Sequence, residues 1–301
     1  MIDPVDLAGQ GLCLSRIVYG CWRLADDPDT SPAHVRRKVE LCLDQGITTF
    51  DQADIYGDYR CEALLGEALR DAPTLRAQMQ IISKADIMLT GAAFPKRRVK
   101  FYDTSPAHLR TAVEQSLSRL GVEALDGLLI HRPDPFMDHA ATGAALDALV
   151  TEGKVRTVGV SNFMPWDLDL LQSAMKTRLS INQIEMSLLA REPFTDGTLA
   201  QLQQTRRVAM AWSPLAGGRL FADDPGLRAL QERLAALAAS AGVAPAALAT
   251  AWLLAHPARI VPILGSNNLE RIATFSQALG VTIDRETWFE LWTIAAGQEV
   301  P

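Results

Sequence analysis

Phe50-Asp51-Gln52-Ala53-Asp54-Ile55-Tyr56-Gly57 follows Gly46-Ile47-Thr48-Thr49, whose β-branched residues read as the end of a strand. The strand stops at Asp51, and five residues later a tyrosine stands in a Gly-flanked loop. Two later strand-like runs end in the same manner: Met79-Gln80-Ile81-Ile82-Ser83 runs into Lys84, and Leu125-Asp126-Gly127-Leu128-Leu129-Ile130 runs into His131. Asp51, Tyr56, Lys84 and His131 thus fall at the C-terminal ends of successive strands. A lone residue of any of these types at a strand end is usually structural or solvated; four together make an acid–base set.

Outward from this stretch, the chain alternates strand and helix. Arg16 to Gly20 reads as the first strand after an N-terminal hairpin, and Ser31-Pro32 supplies an N-cap and an N1 proline for a helix over Val35 to Gln45. Cys61 to Leu69 has helical spacing, and Ser105-Pro106 opens another helix reaching Leu120. Strands then follow at Val155 to Val160, Ser180 to Ile184, Val208 to Trp212 and Ile260 to Leu264, with helices between them and one after Leu269. The basic stretch from Ala85 to Thr104, with Lys96-Arg97-Arg98 and Lys100, reads as a loop over the mouth, and Arg285 to Ala296 as an additional C-terminal helix. Eight such alternations predict a single α/β domain over residues 1–301, a (β/α)8 barrel with its functional loops at the C-terminal face of the strands. The open doubly wound sheet is the rival, but its G-x-G-x-x-G fingerprint is missing: Gly9-Gln10-Gly11 has Leu14 in the third glycine's place and follows no strand.

With these residues in place, the chain resembles the aldo-keto reductases, NAD(P)H-dependent carbonyl reductases built on this barrel. The resemblance extends from Ile17-Val18-Tyr19-Gly20-Cys21-Trp22 to Pro262-Ile263-Leu264-Gly265-Ser266, and is nearest the bacterial branch with Ile130-His131-Arg132-Pro133-Asp134-Pro135 and Gly159-Val160-Ser161-Asn162-Phe163. It implies that Tyr56 is the general acid, Lys84 the ammonium that lowers its pKa, Asp51 the anchor of Lys84, and His131 the group that places the substrate oxygen. It further implies Ser161, Asn162 and Gln183 at the nicotinamide carboxamide and Trp212 stacked on the ring. Ser213, Leu215 and Gly217 would wrap the pyrophosphate, and Gly265, Ser266 and Arg271 would hold the adenosine 2′-phosphate. Trp22 corresponds to the substrate's aromatic wall, with Tyr59, Phe94, Phe136 and Phe163 as further aromatic candidates. The sequence departs from better-known members where a lysine gives way to Gly265 or Asn267, and where an adenine-gripping acidic-Asn pair is Thr274-Phe275. Arg271 makes NADPH the expected cofactor, with NADH possible, and a small aldehyde or ketone the expected substrate. Other readings of the same barrel are a cofactor-binding redox-sensing or regulatory subunit with slow turnover, and a Schiff-base aldolase acting through Lys84.

Composition narrows the classes further. Hydrophobic residues at 48% permit a large core, and the net charge of −6 opposes general affinity for nucleic acid or anionic membrane. The N-terminal residues lack a signal-peptide pattern and no run of 18 apolar residues occurs, so a cytoplasmic location is expected. Cys13, Cys21, Cys42 and Cys61 have no C-x-x-C spacing and read as reduced, partly buried thiols. His34, His108, His139 and His256 show no mutual ligand spacing, so no metal is expected. The expected partner is the small carbonyl substrate that the resemblance implies, and the chain is expected to be a monomer, with an oligomer left open.

Overall fold

The structure, a computed structural model, describes residues 4–7, 12–91 and 94–300. Eight parallel strands close into a barrel: β1 (Val18–Gly20), β2 (Thr49–Asp51), β3 (Gln80–Ala85), β4 (Leu125–Ile130), β5 (Val155–Ser161), β6 (Leu179–Glu185), β7 (Val208–Trp212) and β8 (Val261–Leu264). Strands pair in chain order, and β8 closes on β1 through Ile263↔Val18 and Leu264↔Tyr19. The helices are α1 (Pro32–Leu43), α2 (Cys61–Leu69), α3 (Pro106–Leu120), α4 (His139–Thr151), α5 (Pro165–Ser173), α6 (Thr198–Gln204), α7 (Arg228–Ala241), α8 (Pro245–Leu254) and α9 (Arg285–Ala296). Ser31 and Ser105 cap α1 and α3 by accepting the N–H groups of His34 and His108, each with proline in the first turn. Such a cap contributes about 1 kcal/mol.

The two-residue period of a strand sorts its side chains. Val18, Ile82, Leu129, Ile181, Met210 and Ile263 face inward and pack with Val5, Leu7, Leu12 and Leu14. The latter four flank the N-terminal hairpin, in which Val5 pairs with Leu14 and Asp6 with Cys13, so the hairpin plugs the barrel floor. Its tip, including Gly9-Gln10-Gly11, lies outside the described residues. Two positions further along β2, β3 and β4 the same inward phase reaches Asp51, Lys84 and His131. Outward-facing Tyr19, Phe50, Ile81, Leu128, Val158 and Ile184 belong to the second core, between strands and helices.

Two segments differ from the sequence expectation. The stretch 85–104 is not wholly loop: Ile87–Met88 pairs antiparallel with Phe101–Tyr102, a ladder too short to leave a periodic signature. After β8 there is a single helical turn, Leu269–Ile272, followed by a 3-10 segment, Phe275–Gly280, whose tighter winding packs Phe275, Ala278 and Leu279 against α8. The additional helix α9 is pinned to α8 by Trp288 and Trp252. Their rings stack at 4.7 Å, and each indole N–H donates to the other's carbonyl at 3.0 Å. Among the described residues no single helix is long and apolar enough to cross a membrane.

Candidate active site

The Lys84 ammonium is the centre of the inward-facing polar group at the barrel mouth. Its Nζ donates to Asp51 Oδ2 at 2.8 Å, to the Gln52 carbonyl at 2.8 Å and to Tyr56 Oη at 2.9 Å. An ammonium has three N–H bonds, so these partners saturate it. Asp51 and Lys84 are buried, Tyr56 half-buried. The His131 ring meets the Tyr56 ring edge-on with centroids 5.9 Å apart. The four residues expected from the sequence therefore converge.

Tyr56 is carried on an unusual turn. It opens the short helical segment Tyr56–Tyr59, in which Gly57 (φ 57°), Asp58 (φ 53°) and Tyr59 (φ 67°) are left-handed. A Cβ on Gly57 would lie 2.4 Å from that of Ala25 and 2.8 Å from Cys61 Sγ, so the turn requires glycine there. The half-turn aims the phenol back at Lys84.

The ionisation pattern follows from burial. Burial raises the Tyr56 phenol well above its ordinary value, and the Asp51 carboxylate pushes the same way. The Lys84 ammonium, which donates to the phenol oxygen at 2.9 Å, favours the phenolate and so works against burial. Burial lowers Lys84, opposed by Asp51. Burial also holds His131 well below its usual value, assisted by the positive charges of Lys84, Arg132 and Lys100, so its ring is neutral at neutral pH. The site thus presents a protonated phenol, an ion pair and a neutral imidazole.

A second set of polar groups lies on β5, β6 and β7. Ser161 Oγ donates to the Gln183 carbonyl at 2.8 Å, Asn162 Nδ2 donates to Ser161 Oγ at 2.9 Å, and the Trp212 indole N–H donates to Asn162 Oδ1 at 2.9 Å. Asn162 Nδ2 also reaches the His131 carbonyl at 3.4 Å, and Gln183 Nε2 donates to Asp51 Oδ1 at 2.7 Å. The sets are therefore joined. Ser213 (φ 49°), Ala216 (φ 51°), Gly217 (φ 67°) and Gly218 (φ 98°) follow Trp212 in a left-handed loop, with open space above Gly217 and Leu215 packed on the core. Gly265 and Ser266 follow β8, Ser266 accepting from Tyr19 Oη at 2.9 Å through its carbonyl. Arg271 is exposed, and its guanidinium has no hydrogen-bond or ion-pair partner among the described residues.

The aromatic candidates separate. Trp22 is 57% exposed at the mouth, its carbonyl held by Cys61 Sγ at 3.7 Å. Tyr59 and Phe94 meet edge-on at 5.1 Å beside the Tyr56 turn, and Phe136 is exposed. Phe163 is buried at 1% exposure and belongs to the core between β5 and the helices, not to a substrate wall. Sequence reasoning passed over Asp54 and Asp86, two buried acids, each with one carboxylate oxygen lacking a partner among the described residues. Burial pushes Asp54 up to about 8, with Glu62 adding to the rise. Burial likewise raises Asp86 well above the carboxylate range. Both stand in loop-like sequence with nothing to signal their burial.

Comparison with known proteins agrees with this geometry. A family model described as the Aldo/keto reductase family matches residues 16–295. A 6-dehydroglucose reductase from Agrobacterium fabrum is 58% identical over 289 residues, covering 95% of this chain and 96% of that protein. The oxidoreductase YdhF of Escherichia coli is 42% identical over the full length of both chains. The crystal structure of an aldo/keto reductase from Klebsiella pneumoniae in complex with NADP and acetate superposes with a TM-score of 0.75 at 27% identity, over 94% of this chain and 92% of that one.

Proposed function

The chain belongs to the aldo/keto reductase family of NAD(P)H-dependent oxidoreductases, and on that premise we propose that it uses NADPH to reduce the aldehyde group of a polyhydroxylated, sugar-type substrate, with Tyr56 as the general acid. The saturation of Lys84 carries this reading. With all three of its N–H bonds assigned, the Tyr56 oxygen accepts from Lys84 and the phenol's own proton is left to donate into the site. NADPH would supply the hydride. As the carbonyl oxygen gains charge, Tyr56 gives up its proton, and the phenolate so formed is stabilised by the Lys84 hydrogen bond more strongly than the phenol was. An interaction that strengthens along the reaction lowers the barrier. Asp51 keeps Lys84 charged and oriented, and neutral His131 offers a ring N–H to the substrate oxygen while its Nδ1 has no partner among the described residues.

The second half of the barrel suits the cofactor. Ser161, Asn162 and Gln183 would hold the nicotinamide carboxamide, Trp212 the ring face, and the left-handed loop through Ser213, Leu215 and Gly217 the pyrophosphate. The unpartnered Arg271 guanidinium, with Gly265 and Ser266, would take the 2′-phosphate, which favours NADPH over NADH. The substrate class rests on the 58% identical 6-dehydroglucose reductase and on the cations Arg132 and Lys100 beside His131, which suit an oxygen-rich molecule. The test follows oxidation of NADPH and NADH against a carbonyl panel that includes 6-aldehydo hexoses and simple apolar aldehydes. Reduction of the sugar aldehydes with the higher kcat/KM is expected. Preference for the apolar aldehydes would overturn the substrate class, and NADPH binding without reduction of any compound would point instead to a cofactor-sensing subunit.

A further inference from the structure

The end of β3 is shaped by a residue with no place in the tetrad. Asp86 is wholly buried at 0% exposure, and its backbone stands at φ 122°, a conformation L side chains rarely adopt. Regular pairing of β3 with β4 ends at Ala85↔Ile130, and the Ala85 carbonyl then accepts the His131 N–H at 3.0 Å. Past this point the strand turns away. The Asp86 carbonyl goes instead to the Asp103 N–H at 2.8 Å, in the hairpin that spans 85–104. Beyond the last paired residues, the Arg132 N–H finds its acceptor in a side chain, Asp86 Oδ2, at 3.0 Å. Two adjacent N–H groups, of His131 and Arg132, thus hang on two adjacent residues, one by backbone and one by side chain. The arrangement keeps a strained backbone and a buried carboxylate oxygen without a partner among the described residues. Strain of this kind persists where surrounding structure enforces it, and it clusters at functional sites.

We propose that Asp86 is a positioning residue for His131: by gripping the Arg132 N–H just past the end of the β3–β4 ladder it fixes the His131 ring against Tyr56. The proposal rests on the carbonyl-reduction reading and on the role of His131 within it. Asparagine offers the same acceptor oxygen and can serve in place of Asp86. Glycine cannot, although it suits the backbone angle, so Asp86→Gly removes the grip while relieving the strain.

The experiment compares Asp86→Gly, Asp86→Ala and Asp86→Asn with the full-length wild type. The readouts are thermal stability, NADPH affinity by fluorescence, kcat and KM for the best substrate, and the primary isotope effect with deuterated NADPH. The glycine variant is expected to be no less stable than wild type and to bind NADPH within about threefold of it. Its kcat/KM should fall about tenfold or more, because small misplacements of a positioned group are costly, and the isotope effect should rise as hydride transfer becomes more rate-limiting. Asp86→Asn should restore kcat/KM to within about threefold of wild type. A glycine variant with wild-type kcat/KM and isotope effect would overturn the proposal, as would an asparagine variant no better than glycine. A fall in kcat matched by loss of folded protein, with KM and isotope effect unchanged, would reduce Asp86 to a structural residue. So would failure of both the glycine and alanine variants to fold while asparagine folds and works. A wild type that reduces no carbonyl compound would overturn the reading beneath the proposal, which the variants alone cannot do.

Discussion

Gln183 donates its side-chain N–H to Asp51 Oδ1 at 2.7 Å, while the Lys84 ammonium lies 2.8 Å from both oxygens of the same carboxylate. The carboxamide assigned to the nicotinamide end of the cofactor is thus one hydrogen bond from the ion pair behind the general acid. Asp51 links the two ends of the site.

This arrangement separates two kinds of cofactor contact. Gln183→Ala should weaken NADPH and NADH equally, by about 1 kcal/mol, because both carry the nicotinamide. Arg271→Ala should weaken NADPH by roughly 1.5–3 kcal/mol and leave NADH nearly unchanged, since only the former has a 2′-phosphate. Fluorescence titration of both variants with both cofactors is the check. Equal losses in the arginine variant would remove Arg271 from the phosphate site.

Tyr56→Phe keeps the ring and its edge-on contact with His131 but removes the proton. The expected result is a fall in kcat of at least ~10²-fold, the usual worth of general acid catalysis. NADPH affinity should stay within about threefold, a difference under ~1 kcal/mol. Stopped-flow binding beside steady-state reduction measures both. A variant with wild-type kcat would exclude Tyr56 as the acid.

Lys84→Met should abolish most turnover and also destabilise the fold by about 3 kcal/mol, because it leaves a buried Asp51 carboxylate without its cation. Adding Asp51→Asn should recover part of that stability and none of the activity. Urea unfolding of the single and double variants decides the matter: equal stability of the two would mean that the unpaired charge is not the cause.

Asp54 gives the stability a pH dependence of definite sign. Its carboxyl titrates at about 8 in the folded chain, against ~3.9 when unfolded. The folded state therefore holds the proton more tightly, and the contribution of this group to stability is complete below about pH 4, declines as the pH rises, and is lost above about pH 8. Asp54→Asn cannot ionise, so its stability relative to wild type should improve between about pH 5 and pH 9, by on the order of 4 kcal/mol. Urea unfolding at the two pH values tests this. A difference independent of pH would place the Asp54 titration elsewhere.

The barrel was legible in the sequence because strands that bury both faces leave short apolar runs, and because Ser-Pro at 31–32 and 105–106 marks helix starts. The four converging residues were legible in position because Asp51, Lys84 and His131 end such runs and Tyr56 stands in the loop after the first of them. Asp86 was not: its importance comes from a backbone angle and from a neighbouring N–H without an acceptor, neither of which has a residue pattern. Asp54 sits within the very motif that identified the site, yet its burial depends on the packing of Glu62 and Lys84 around it. The rise of the Tyr56 phenol was not legible, because it follows from burial, which no residue pattern shows. The hairpin in 85–104 and the single turn after β8 are shorter than any period that hydrophobic patterning can show.

The order of the strands divides inheritance. Asp51, Tyr56, Lys84 and His131 arise from β2 to β4, whereas Ser161, Asn162, Gln183, Trp212 and the loops through Arg271 arise from β5 to β8. A recombination falling in the turn between α4 and β5 would pass the proton-handling half from one parent and the nucleotide-handling half from another. The β4–β5 and β8–β1 strand pairings would need to match, as would side-chain bonds such as Gln183–Asp51, Asn162–His131, Arg16–Ile260 and Lys38–Asn267. On the proposed assignments, such an exchange would alter the choice of nicotinamide nucleotide while leaving the residues of the first half unchanged.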